Sequence, residues 1–143
     1  MAERENTQEE HDEIVEASAK TYSEMEEKGY KVSTNPNGEK NHGWPKKDLY
    51  PDVIVWKPES PGANSGRAVV IEEIETDESV DSDEAEQWKD YAELGVETFR
   101  LIVPEGEVDS AREIIEEEKI EIDELWSYYY DEDGRTKFRK EEL

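Results

Sequence analysis

The chain has 143 residues, room for one ordinary domain with a single core, and carries 41 Asp and Glu against 17 Lys and Arg, a net charge of −24. It has no cysteine, which excludes disulfides, thiolate metal sites and cysteine nucleophiles. No run approaches the roughly 20 apolar residues of a membrane-spanning helix. The opening residues lack the basic and apolar regions of a signal peptide, so the cytoplasm is the expected compartment.

So acidic a chain is either disordered or folded beneath an acid-coated surface suited to a cytoplasm holding molar salt. At about 1 M salt the Debye length is roughly 3 Å, and self-repulsion between surface carboxylates largely vanishes. The apolar residues cluster in runs, Val53-Ile54-Val55-Trp56, Val69-Val70-Ile71 and Leu101-Ile102-Val103. That clustering favours the folded reading and a halophilic source, cellular or viral. An acidic surface repels DNA at low salt, but strong salt screens that repulsion.

In chain order, Thr7 with Glu10 forms a capping box for a helix whose apolar stripe is Ile14, Ala17/Ser18, Tyr22 and Met25, ending at Gly29. A short strand over 30–34 leads into a turn at Asn35-Pro36-Asn37-Gly38 and a polar loop to Tyr50. A second strand over 52–56 and a third over 68–76 flank a turn-rich connection. Asp81 with Glu84 caps a helix that stops at Gly95, and a fourth strand spans 98–103. Ser110 with Glu113 caps the next helix, which carries Ala111, Ile114 and Ile115. A fifth strand over 125–130 turns at Asp133-Gly134 into 136–138. The order α-β-β-β-α-β-α-β-β predicts one α/β domain over 1–143, a mixed central sheet flanked by helices.

The third strand carries the chemistry. Side chains alternate along a strand, which puts Val69, Ile71, Glu73 and Glu75 on one face. Carboxylates at a covered sheet end need a cation, and Mg²⁺ or Mn²⁺ with oxygen ligands supplies one. Asp52 opens the preceding strand and can meet Glu73 across the pair. The bland reading is a solvated acidic face, since acidic residues abound here.

Together, Pro51-Asp52 at a strand start and Glu73-Ile74-Glu75 at the end of the next resemble the PD-(D/E)XK nuclease superfamily. Its core is α-β-β-β-α-β, the restriction-endonuclease-like fold, and the match runs from about residue 7 to 103, leaving a C-terminal helix and β-hairpin. Gln87-Trp88-Lys89-Asp90-Tyr91 is similar to the Gln-x-x-x-Tyr of the RecB-type branch, with Gln87 and Tyr91 on one helix face. The alternative for that helix is an amphipathic surface burying Ala85, Trp88 and Ala92. The family's lysine is replaced by Glu75, so Lys89 or Lys57 is the expected migrated cation, and Glu16 a candidate helix-borne carboxylate.

The resemblance implies metal-dependent hydrolysis of DNA. Asp52 and Glu73 would hold Mg²⁺ or Mn²⁺, Glu75 would ligate it or accept a water proton, and Gln87 and Tyr91 would contact phosphates. A homodimer would cut both strands. The locally basic tail, Arg135, Lys137, Arg139 and Lys140, is the expected further DNA contact or a subunit contact. Trp126 with Tyr128-Tyr129-Tyr130 is either a base-stacking surface or a strand packed on alternate sides. His11 and His42, far apart in sequence, read as solvated. Two rivals remain: a non-catalytic binding module that has lost the lysine, and an acidic DNA mimic.

Overall fold

The computed structural model describes residues 2–35, 40, 42–58, 66–77 and 79–143. Its helices are α1 (Ala2–Lys20), α2 (Ser23–Glu27), α3 (Ala85–Ala92) and α4 (Val108–Glu118). The strands are β1 (Lys31–Thr34), β2 (Val53–Pro58), β3 (Gly66–Ile74), β4 (Thr98–Pro104), β5 (Glu124–Tyr130) and β6 (Thr136–Glu141). All six join one sheet in sequence order. The β1–β2, β2–β3 and β5–β6 pairs are antiparallel, whereas β3–β4 and β4–β5 are parallel. Each parallel pair is linked by a helix, α3 and then α4, as a parallel connection requires. The expected α/β class with a mixed, helix-flanked sheet is therefore present. Among the described residues, no helix is long and apolar enough to cross a membrane.

The sheet separates two apolar layers. Ile14, Val15 and Tyr22 from the α1 side pack on Val53, Val55, Val70 and Ile102. Trp88 and Tyr91 of α3 and Ala111 of α4 pack on Ile54, Ile71, Leu101 and Leu125. Alternation along β2 and β4 makes both faces of each strand apolar, as in a sheet covered on both sides.

Several local expectations are corrected. The first helix begins at Ala2, so Thr7 lies inside it instead of capping it. It breaks at Lys20, and α2 continues the stripe before Gly29 takes φ +98°. Likewise α4 starts at Val108, ahead of Ser110, after a tight turn at Glu105–Glu107. A β-bulge opposite Val55/Trp56 leaves Val69 as the extra residue on β3. Val69 consequently packs with Val70 in the α1 layer, not with Ile71 and Glu73. The last hairpin closes through residues 131–135, with Asp131 Oδ1 accepting from the backbone N–H of Asp133 and Arg135, both at 2.9 Å. Residues 36–38 of the expected turn, and 59–65 of the β2–β3 connection, lie outside the described residues.

On the α1 face, β3 buries Glu72, 2 % exposed. Its carboxylate accepts from Ser18 Oγ and Tyr22 Oη, and Arg100 Nη1 on the neighbouring strand lies 3.6 Å away. Arg100 also donates from Nε to Glu124 (2.7 Å) and sits between the rings of Tyr22 and Trp126, 5.6 and 5.5 Å from their centroids. A buried carboxylate stripped of its cation is strongly destabilising. Arg100→Met is expected to lower unfolding free energy by about 3 kcal/mol, read from urea denaturation at fixed salt. Loss of only a few tenths would show that Glu72 does not depend on Arg100.

Candidate active site

The β2–β3 register pairs Val53 with Glu72, so one step further Asp52 stands opposite Glu73 at the end of the sheet. Both are 8 % exposed. Asp52 Oδ2 accepts from the Ile74 backbone N–H at 2.7 Å, which fixes its carboxylate beside Glu73. The strand proper stops at Ile74, but the Glu75 N–H bonds the Ile102 carbonyl at 2.9 Å, which keeps Glu75 beside β4. Its carboxylate accepts from Trp88 Nε1 at 3.0 Å.

The α3 helix completes the cluster. Asp81 Oδ1 accepts from the N–H groups of Asp83 (2.9 Å) and Glu84 (3.3 Å), as half of a capping box does. The Glu84 side chain goes elsewhere: carboxylate oxygens of Glu73, Glu75 and Glu84 all lie within 4.8 Å of one another. With its amide turned to donate, Gln87 reaches Glu73 Oε2 at 3.3 Å and Glu84 Oε2 at 3.1 Å. Tyr91, one turn on, receives a backbone hydrogen bond from Tyr50. Asp52, Glu73, Gln87 and Tyr91 line a cavity of about 320 Å³. Asn35, Lys40, Asp48 and Tyr50 line it as well.

Electrostatics make this the least comfortable place in the fold. Burial, then the charges of Asp52 and Glu75, push the Glu73 carboxyl well above its usual range. Burial pushes Glu75 up to about 8, against the pull of hydrogen bonds from Ser79 and Trp88. Glu84 is raised by burial and then by Asp81, Asp83 and Asp52. Among the described residues, no lysine or arginine is ion-paired with any of these four acids. The cation that does arrive is His11 on α1, with Nε2 3.2 Å from Asp52 Oδ1. Burial lowers its pKa, but the hydrogen bond and charge of Asp52, then of Asp12, outweigh that and hold it up to about 9.

The expected site residues thus divide. Asp52, Glu73, Glu75, Gln87 and Tyr91 come together. Lys89 turns away to Glu118 on α4 at 3.1 Å. Lys57, opposite Arg67, lies toward the far end of β2. Glu16 is exposed and pairs with Lys20 at 3.8 Å. Arg135 belongs to the last hairpin loop. Lys137 is near Asp131 (4.0 Å), Arg139 pairs with Glu105 and Glu141, and Lys140 with Glu124, so acids offset most of the tail's charge. Of the aromatic run, Tyr128 is buried and Tyr130, 46 % exposed, donates to Glu10 at 2.9 Å. Alternate-side packing describes this strand better than a stacking platform.

His11 was misread as solvated, although it lies three and four residues before Ile14 and Val15 and so on the buried helix face. His42 is exposed, as expected. Glu84 is masked in sequence by its resemblance to a capping residue, and the only sequence signal for Lys40 is the lysine-rich segment 40–50 of an acidic chain.

The raised groups tie stability to pH. Glu75 ionises near 4.5 in an unfolded chain and near 8 in the fold, so the fold retains a proton the unfolded chain has lost and stability falls across that window. His11 adds to the same trend: its stabilising charge is fully present below 6.5 and lost as pH rises through about 9. In chelator, the urea midpoint is expected to drop between about pH 5 and 9, and Glu75→Gln to flatten the part below about pH 8. A midpoint independent of pH would contradict this electrostatic picture.

No family model matches this sequence, and no curated protein or solved structure matches it either, so the functional reading stands on the chemistry of these side chains.

Proposed function

We propose that this chain is a metal-dependent phosphodiesterase acting on DNA, with a restriction-endonuclease-like core, working in a high-salt cytoplasm. The observation that carries the reading is the convergence of acids at the sheet end: Asp52 and Glu73 line one cavity with Gln87 and Tyr91, and carboxylate oxygens of Glu73, Glu75 and Glu84 lie within 4.8 Å of one another. The chain order α-β-β-β-α-β, with β3 and β4 parallel around α3, supports it.

The donor set suits a hard divalent cation. It consists of carboxylate oxygens, partly desolvated, close together and without a lysine or arginine partner among the described residues. Glu73, Glu75 and Glu84 would hold Mg²⁺ or Mn²⁺, with Asp52 adjoining. Such an ion supplies positive charge that polarises a phosphodiester and acidifies a water. His11 and the Ile74 N–H hold the Asp52 carboxylate in place. Gln87 and Tyr91 line the cavity and would contact phosphate oxygens, Gln87 after releasing the carboxylates to which it donates. Glu75, beside Glu73 in this cluster, would either ligate the ion or take the proton of the attacking water. Water adds to phosphorus and the sugar oxygen leaves, giving a phosphomonoester and a hydroxyl end.

A second reading rests on the missing lysine, since Lys89 is paired with Glu118 and Lys57 lies away from the cluster. It is an ion-binding module without hydrolysis. The DNA-mimic reading expects diffuse charge and fits the concentrated cluster poorly.

Cleavage of supercoiled plasmid and labelled oligonucleotides in KCl with Mn²⁺ or Mg²⁺ tests the proposal. Asp52→Asn and Glu73→Gln are expected to slow cleavage by roughly 10²–10⁴-fold. Calorimetric Mn²⁺ binding without cleavage would favour the binding module. Equal cleavage by wild type and Asp52→Asn would remove the proposed site.

A further inference from the structure

A cavity floored by acids repels the phosphates it is proposed to receive, so something at its rim must favour the substrate. Among the described residues, Lys40 is the basic side chain that lines it. Its ammonium is 3.1 Å from Asp48 Oδ1 and 5.6 Å from the centroid of the Tyr50 ring, and Asp48 and Tyr50 line the same cavity. Lys40 also belongs to the segment 40–50, which carries three lysines against one aspartate in a chain of net charge −24.

This segment is anchored to the site. Asn35, 1 % exposed, donates to the carbonyls of His42 (2.6 Å) and Pro51 (2.8 Å) and accepts from the His42 N–H (2.9 Å). Its own N–H bonds the Asp52 carbonyl at 3.1 Å. One buried asparagine therefore ties the chain at His42 to Pro51 and Asp52, just before β2. Beyond it, Trp44 and Leu49 exchange backbone hydrogen bonds of 2.8 and 3.2 Å, and Trp44 stacks on Trp56 at 6.0 Å. A Cβ at Gly43 would sit 2.3 Å from the Leu49 carbonyl oxygen, so the close return of the chain needs glycine there.

Resting on the nuclease reading, we propose that Lys40 is the substrate-phosphate contact of this site, binding the nucleic-acid backbone at the cavity that Glu73 also lines. Asp48 holds the ammonium when no phosphate is present and yields it when one arrives. The exposed lysines at Lys57 and Lys119 take no part.

The test uses the full chain and a fluorescein-labelled DNA oligonucleotide. Anisotropy in Ca²⁺ across a KCl series reads binding, and initial rates in Mn²⁺ read kcat and KM. Lys40→Ala is expected to weaken binding severalfold, to reduce the slope of log affinity against log salt by about 1, and to raise KM with little change in kcat. Lys40→Arg should restore affinity, Asp48→Asn should tighten binding, and Lys57→Ala should match wild type. Circular dichroism melts confirm that each variant is folded. Cleavage with a KM indifferent to Lys40→Ala overturns this inference and leaves the nuclease reading standing. Binding that depends on Lys40 without any cleavage overturns the nuclease reading and sustains the phosphate contact. Absence of binding overturns the contact outright.

Discussion

The structure turns on how one strand buries two adjacent carboxylates on opposite faces of the sheet. Glu72 and Glu73 are both nearly inaccessible, and each faces the same penalty for removing charge from water. On the α1 face the penalty is partly offset: burial raises the Glu72 carboxyl, against two hydroxyl donors and a guanidinium that is itself held by Glu124 and two aromatic rings. On the α3 face it is not. Glu73 meets Asp52, Glu75 and Glu84, and the neighbouring donors are an amide and a protonated tyrosine. A fold that gives Glu72 hydroxyl and guanidinium partners but leaves Glu73 among like charges has concentrated its electrostatic strain at one sheet end, where perturbed groups commonly mark function.

The elements around that end are arranged to keep it in place. Antiparallel register sets Asp52 opposite Glu73, and the parallel β4 carries Glu75 one residue beyond the strand. Trp88, fully buried in the α3 layer, both packs the core and donates to Glu75, so helix docking and carboxylate position are the same contact. His11 belongs to the opposite helix layer and reaches Asp52 around the strand end. The site is therefore bracketed by both layers, although its carboxylates come from the residue before β2, the end of β3 and the residue just past it, and the turn leading into α3.

The overall acidity has a local counterpart. Several basic side chains serve the fold: Arg100 neutralises Glu72, Lys89 links α3 to α4, and Arg139 joins β6 to Glu105. Lys40 differs in its location, at the wall of the acidic cavity. Charge in this molecule is informative by position and not by sum, because short-range pairs survive the salt that screens the rest.

Much of the architecture was legible in the residues themselves. Apolar runs of strand length, helical stripes and the turn residues between them determined the order α-β-β-β-α-β-α-β-β and the α/β class, and Pro51-Asp52 with Glu73-Ile74-Glu75 pointed to the sheet end that holds the cluster. Those signals are local, arising from side-chain periodicity and backbone preference within a few residues. What tertiary structure alone decided was which distant groups meet there. His11 crosses 41 positions to Asp52, Glu84 turns from a helix start into the cluster, Lys40 comes in from a loop, and Lys89 leaves for Glu118. A bulge of one residue likewise moved Val69 to the other layer. Such contacts depend on register, helix docking and loop path, and no short window of sequence contains them.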